Sequence, residues 1–294
     1  MTMPTKKVSS TSCPAPRGKL LLIGGHENKG DAPDNDEQAA LNVNFAPETI
    51  LRRLAAEMRA SGPLVVIPTA SAEPEEIAKA YIEAYARMEG APAVEILDVR
   101  SRADAMLAEN VQRVQDAGGV LFTGGDQLRL TTLLGGTALQ QVLQQRYAHD
   151  EFIIAGTSAG ATAMSTPMIY QGRNDAGYLK GEIHITTGLE LLHDVAVDTH
   201  FVARGRIVRM AQILATNPGC LGLGLEEDTA VLITEGKEIE VIGSGMVVIL
   251  DVREGSTNIH EIAPNTPFTL CDARLHLLSS GERYTLPVMP RFYS

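Results

Sequence analysis

In the first half of the chain, short apolar runs recur at regular intervals, each followed by a segment with helical spacing. Residues 19–25, 63–69 and 119–123 are continuous rather than alternating in hydrophobicity, the pattern of strands buried on both faces, and 93–99 reads as a further strand. Between them, 48–61, 71–88 and 101–116 repeat apolar positions at helical intervals. Residues 128–147 do the same across a Gly-Gly break at 135–136. This alternation predicts an α/β three-layer sandwich with a largely parallel sheet between layers of helices. Beyond the middle of the chain the period changes. Residues 168–170 and 183–186 read as short strands and 201–215 as a helix. Then 229–234, 238–242, 246–252, 268–270 and 275–278 read as strands with Gly or Asn in their turns, predicting C-terminal antiparallel strands. Residues 1–17 are polar and Pro-containing and are expected to form a mobile tail; 18–294 show no linker and are expected to form a single α/β domain. Residues 26–46, rich in Gly, Asp and Asn, read as a long loop of the length that usually serves function.

The stretch that organises the pattern is 152–160, Phe-Ile-Ile-Ala-Gly-Thr-Ser-Ala-Gly. An apolar strand ends abruptly in small residues, and Ser158 stands between Gly156 and Gly160. A strand followed by Gly-x-Ser-x-Gly and then a helix is the context of a nucleophile elbow, whose cramped turn pushes the serine oxygen into the open. In a parallel sheet ligands bind at the carboxyl ends of the strands. Ser158, the Gly124-Gly125 pair and His26 all fall at such ends.

Composition narrows the class of partner. Twenty-five basic against 36 acidic residues give a net charge of −11, which argues against a nucleic-acid or anionic membrane surface. Cys13, Cys220 and Cys271 have no spacing that suggests a disulfide framework or a structural zinc site. No apolar leader or membrane-length run is present, so a cytoplasmic enzyme is expected.

A serine hydroxyl needs a base within hydrogen-bond reach. In elbow hydrolases that base follows the nucleophile, and His200, in Val-Asp-Thr-His-Phe, fits the order along with other downstream histidines. Arg204, Arg206 and Arg209 follow it closely. In an acidic protein such a cluster either pairs with the protein's own carboxylates or clamps a substrate carboxylate, which guanidinium groups bind bidentately. The Gly124-Gly125 turn can offer a backbone N–H at Gly125 opposite that of Ala159, together an oxyanion hole; Asp126 can cap the helix that follows.

Four blocks in order, Phe122-Thr-Gly-Gly-Asp-Gln127, Gly156-Thr-Ser-Ala-Gly-Ala161, Asp198-Thr-His-Phe201 and Arg204-Gly-Arg-x-x-Arg209, resemble the serine peptidase family that contains the cyanophycinases and the aspartyl dipeptidases (peptidase E). The likeness runs from Leu20 to about Ala230. It implies a fold like that of the class I glutamine amidotransferases, a homodimer, and no metal or organic cofactor. It also implies an exopeptidase that cuts cyanophycin, a poly-aspartate chain bearing arginine on its side-chain carboxylates, into β-Asp-Arg dipeptides. An α- or isoaspartyl dipeptidase and a non-catalytic binding homologue are the rival expectations. By position, Ser158 matches the nucleophile and His200 the base. Gln127, Asp198 and the three arginines match substrate contacts. The third catalytic member falls on Asp175, with Glu182 as its competitor. Thr199 stands where the family block carries glutamine, leaving the substrate contact there open.

Overall fold

A computed structural model of the chain describes residues 15–30, 45–58 and 61–287. The expected tail falls mostly outside the described residues, as does the long-loop segment 31–44.

Two sheets carry the fold. Strands β1 (Lys19–Ile23), β2 (Leu64–Ile67), β3 (Val94–Ile96), β4 (Gly119–Phe122) and β5 (Ile153–Thr157) pair in parallel in the order β1-β5-β4-β2-β3. The apolar sequences of β1, β2, β4 and β5 follow from burial on both faces, whereas the edge strand β3 is half-exposed. Leu20, Leu22, Val65, Ile67 and Ile154 join one core cluster, while Leu21, Ile23, Leu64, Val66 and Ile153 join another. Helices α1 (Thr49–Glu57) and α2 (Pro74–Arg87) cover the second of these faces with Leu51, Leu54, Tyr81 and Tyr85. Helices α3 (Ala108–Asp116), α4 (Gln127–Leu134), α5 (Ala138–His149) and α6 (Ala159–Ala163) contribute to the first. The Gly-Gly break at 135–136 separates α4 from α5, with Thr137 accepting from the Gln140 amide to cap the second.

The late strands divide in two. β10 (Thr229–Thr234), β11 (Glu238–Gly243) and β16 (Arg283–Thr285) extend the first sheet antiparallel beyond β1, as the late pattern predicts. The others form a separate six-stranded sheet. It takes β6 (Ser165–Gln171), β7 (His184–Thr186), β8 (Leu192–Thr199), β9 (Leu221–Leu225), β12 (Val247–Asp251) and β15 (Arg274–Leu278), in the order β15-β12-β9-β8-β6-β7. β6, β8 and β9 run parallel. Val195, Val197, Leu223 and Ile249 of this sheet share a core with Leu20, Leu22 and Ile154 of the first. Its far face is covered by α7 (Ile207–Thr216) through Met210, Ile213 and Leu214. The short strands β13 (Ser256–Thr257) and β14 (Leu270–Cys271) form a ribbon of their own.

The second sheet is the departure from the single sandwich expected from the sequence. Its central strand β9 reads Leu-Gly-Leu-Gly-Leu, and the glycines hide the strand signal. A methyl group at Gly222 would lie 2.7 Å from Met210 Cγ, and one at Gly224 would lie 2.4 Å from the Phe201 ring. These positions are bare because α7 and Phe201 lie directly on the strand. Packing overrides β-propensity here.

Candidate active site

The elbow forms as the small residues require. Ser158 caps α6 with φ 50° and ψ −114°, a conformation non-glycine residues rarely hold. A Cβ at Gly160 would sit 2.4 Å from the Phe122 carbonyl oxygen, and one at Gly156 would strike the Gly160 backbone, so β5, α6 and β4 meet only because both are glycine. Beneath the elbow lies the buried Glu27. It accepts hydrogen bonds from Thr157 Oγ1 (2.5 Å), from Lys29 Nζ (2.8 Å) and from the Tyr81 hydroxyl. Burial pushes its pKa up, but Lys29's charge and these bonds together outweigh that and hold the carboxyl below its ordinary range.

Ser158 Oγ lies 3.0 Å from His200 Nε2. His200 follows β8 in a left-handed turn (φ 48°), and its Nδ1 lies 2.6 Å from Glu227 Oε1. Burial lowers the imidazole's pKa most, with Arg204 and His26 lowering it further; the Glu227 bond opposes them, and the net direction is down. The ring is therefore neutral near pH 7 and able to take a proton.

The expected orienting carboxylate is corrected by this geometry. Asp175 is exposed and paired with Arg173 (2.7 Å), and Glu182 accepts from the Arg173 amide. Neither is bonded to His200. Glu227 follows β9, whose end lies beside that of β8, so both side chains emerge at neighbouring strand ends. Along the chain the serine thus comes first, the histidine second and the carboxylate last. Its signal in the sequence is Glu226-Glu227-Asp228 at a strand end, but the glycines of β9 conceal the strand.

One tripeptide aligns the three segments. Ile23 O accepts from the Ser158 amide (2.9 Å), Gly24 O from the His200 amide (3.0 Å) and Gly25 O from the Asp228 amide (2.9 Å). A Cβ on Gly24 would lie 1.9 Å from the Glu226 carbonyl oxygen, and one on Gly25 2.5 Å from the His200 ring. Glu226 accepts from the Val202 and Ala203 amides and so fixes the turn after His200.

Gly124 packs against Ser158, a built Cβ being 3.4 Å from that of the serine. The adjoining Gly125 is exposed, with φ 137° and no room for a side chain against the Ala70 carbonyl oxygen. Ala159 opens α6, where a first-turn N–H has no intrahelical partner. Asp126 caps α4 by accepting from the Leu128 and Arg129 amides. Gln127 Nε2 donates to the Ile169 carbonyl (3.0 Å) and so tethers β6.

The arginine cluster divides. Arg209 is buried and donates twice to the fully buried Asp198, while Arg206 donates to Asp198 (2.8 Å) and to the Thr199 carbonyl (2.7 Å). Thr199 is itself buried. Asp198, Thr199, Arg206 and Arg209 thus form an internal brace behind His200, contrary to the expected clamp; the self-pairing alternative holds. Arg204 alone of the three is exposed, and its charge is felt by His200.

An elbow serine bonded to an imidazole that a carboxylate holds from behind, on an α/β fold, is the constellation of a serine hydrolase. The chain belongs to peptidase family S51, whose model matches residues 43–242. It is 34% identical over 290 residues to a cyanophycinase of Nostoc sp. (strain PCC 7120 / SAG 25.82 / UTEX 2576), covering 97% of this chain and 92% of that protein. It is 37% identical over 222 residues to a cyanophycinase of Geminocystis herdmanii (strain PCC 6308), covering 75% and 81%. Its fold is similar to that of a solved peptidase from an acI-B1 Actinobacterium, with a TM-score of 0.62 at 23% identity over 92% of this chain and 97% of that one.

Proposed function

We propose that the chain is a serine exopeptidase that hydrolyses cyanophycin to β-Asp-Arg dipeptides. The observation that carries the catalytic part is the continuous Ser158–His200–Glu227 relay. Ser158 Oγ attacks the backbone carbonyl between two arginylated aspartates while His200 Nε2 takes its proton. Glu227 keeps the Nδ1 proton in place and stabilises the imidazolium as it forms. The N–H groups of Gly125 and Ala159 receive the oxyanion, each such donor being worth about 2.7–4 kcal/mol. His200 then protonates the leaving amine, and water repeats the cycle on the acyl-enzyme. The substrate rests on likeness to relatives named cyanophycinase, which the chain matches over most of their length.

With Arg206, Arg209 and Asp198 bound to one another, Arg204 is the member of the cluster left to meet a substrate carboxylate, and Gln127 borders the same strand ends. The parallel strand order ending in an elbow at β5 supports kinship with the class I glutamine amidotransferase architecture. Leu275 and Leu277, both exposed on the edge strand β15, support a homodimer. A cytoplasmic location is part of the same reading; among the described residues no helix is long and apolar enough to cross a membrane.

Purified protein incubated with insoluble cyanophycin should release β-Asp-Arg, and Ser158→Ala should abolish release without changing the circular dichroism spectrum. Turnover by the Ser158→Ala variant, or cleavage of isoaspartyl dipeptides in place of the polymer, would overturn the assignment.

A further inference from the structure

The serine relay leaves one imidazole at the site without a task. His26 ends the turn after β1 in a left-handed conformation (φ 47°), exposed at the mouth, with its ring edge-on to His200 at 5.0 Å. Its Nδ1 lies 3.4 Å from the same Glu227 Oε1 that His200 contacts. One ligand atom from each of His26, His200 and Glu227 falls within 4.8 Å of the others. Two imidazoles and one carboxylate are the donor set of three-ligand zinc sites, in which water or another ligand takes the fourth position. Borderline divalent ions of the late first transition row suit these donors, whereas calcium and magnesium prefer an oxygen shell.

We propose that His26, His200 and Glu227 form a reversible inhibitory site for Zn²⁺. With zinc–nitrogen and zinc–oxygen bonds of about 2.0–2.2 Å, a tetrahedral ion between His200 Nδ1 and Glu227 Oε1 requires them to separate beyond their present 2.6 Å. Glu227 is one-third exposed, so its carboxylate has space to swing. Coordination at Nδ1 displaces the proton held there, which moves to Nε2; the imidazole remains neutral and no proton is lost. An Nε2 bearing hydrogen can no longer accept the Ser158 proton. The ion thus switches off the base without touching the serine. This inference deepens the serine-peptidase reading, because the lost step is that reading's first proton transfer.

Co²⁺ serves as the spectroscopic stand-in for Zn²⁺. Titrated into the full-length protein, it should give saturable visible absorption at one equivalent, displaced by Zn²⁺ and removed by EDTA. Ser158→Ala should retain this spectrum. His26→Asn is the informative variant, since asparagine accepts the left-handed backbone. Its Zn²⁺ response is read relative to its own metal-free turnover, because His26 also lowers the His200 pKa. Altering an outer-shell partner alone costs roughly 10–100-fold in metal affinity, so losing a direct ligand should raise the Zn²⁺ concentration for half-inhibition by more than about tenfold. No saturable absorption, or a Zn²⁺ response unchanged in His26→Asn, would overturn the site. A His26-dependent Co²⁺ spectrum in a protein without peptidase activity would instead preserve the site and sink the peptidase reading.

Discussion

Replacing Glu227 with glutamine isolates the charge in the relay from its shape. The amide oxygen can still accept from His200 Nδ1, so the ring's orientation and tautomer are preserved, but the attraction for the imidazolium formed during attack is lost. The contact is 2.6 Å between heavy atoms. With the charge centres roughly 4 Å apart, Coulomb attraction is about 1 kcal/mol at the dielectric of water and about 4 kcal/mol at an effective value of about 20. Glu227 is one-third exposed and His200 is buried, so neither limit applies. About 2–3 kcal/mol is the intermediate figure, equivalent to a rate loss of roughly 30–150-fold. Two assays read it: dipeptide release from cyanophycin, and the rate at which a fluorophosphonate labels Ser158, which needs no knowledge of the substrate. Because Glu227 raises the His200 pKa, its loss should also move the acid limb of the pH–rate profile to lower pH. Asp175→Asn is the control and should match wild type. A loss below about threefold in Glu227→Gln, or an equal loss in Asp175→Asn, would refute the assignment.

Other consequences follow from the brace and the basic rim. Arg209→Met should remove two of the bonds that hold the buried Asp198 and leave Arg206 as its remaining guanidinium partner; breaking a buried pair outright costs about 3–5 kcal/mol, so thermal denaturation should register a fall in Tm below that full cost. Arg204→Gln should leave Tm nearly unchanged and raise KM for the polymer. Because Arg204 depresses the His200 pKa, the same variant should move the acid limb upward, opposite to Glu227→Gln. In the wild type, burial of His200 puts that limb below the ordinary histidine value of 6.5, and a limb above it would contradict the burial seen here.

The parallel half of the fold was legible because β1, β2, β4 and β5 are buried on both faces, which leaves an apolar run in each, while the edge strand β3 is half-exposed and carries Glu95. His200 stood among several downstream histidines until the resemblance of its block singled it out, whereas Ser158 and the glycines of the elbow were legible for a related reason: steric limits on the chain dictate them within a few residues. Glu227 was not, because its position depends on β9, whose glycines answer to Met210 and Phe201 across space rather than to strand propensity. The arginines show the converse difficulty. Their spacing announced a need for anions, but only the folded chain reveals that Asp198 already supplies one.

The successive carbonyls of Ile23, Gly24 and Gly25 grip the amides of residues 158, 200 and 228, three segments far apart in the chain. Those three amides should resist deuterium together and yield together, as one cooperative unit. Catalytic competence then cannot be lost a residue at a time by local fraying: the tip of the first strand either holds all three segments or releases them all.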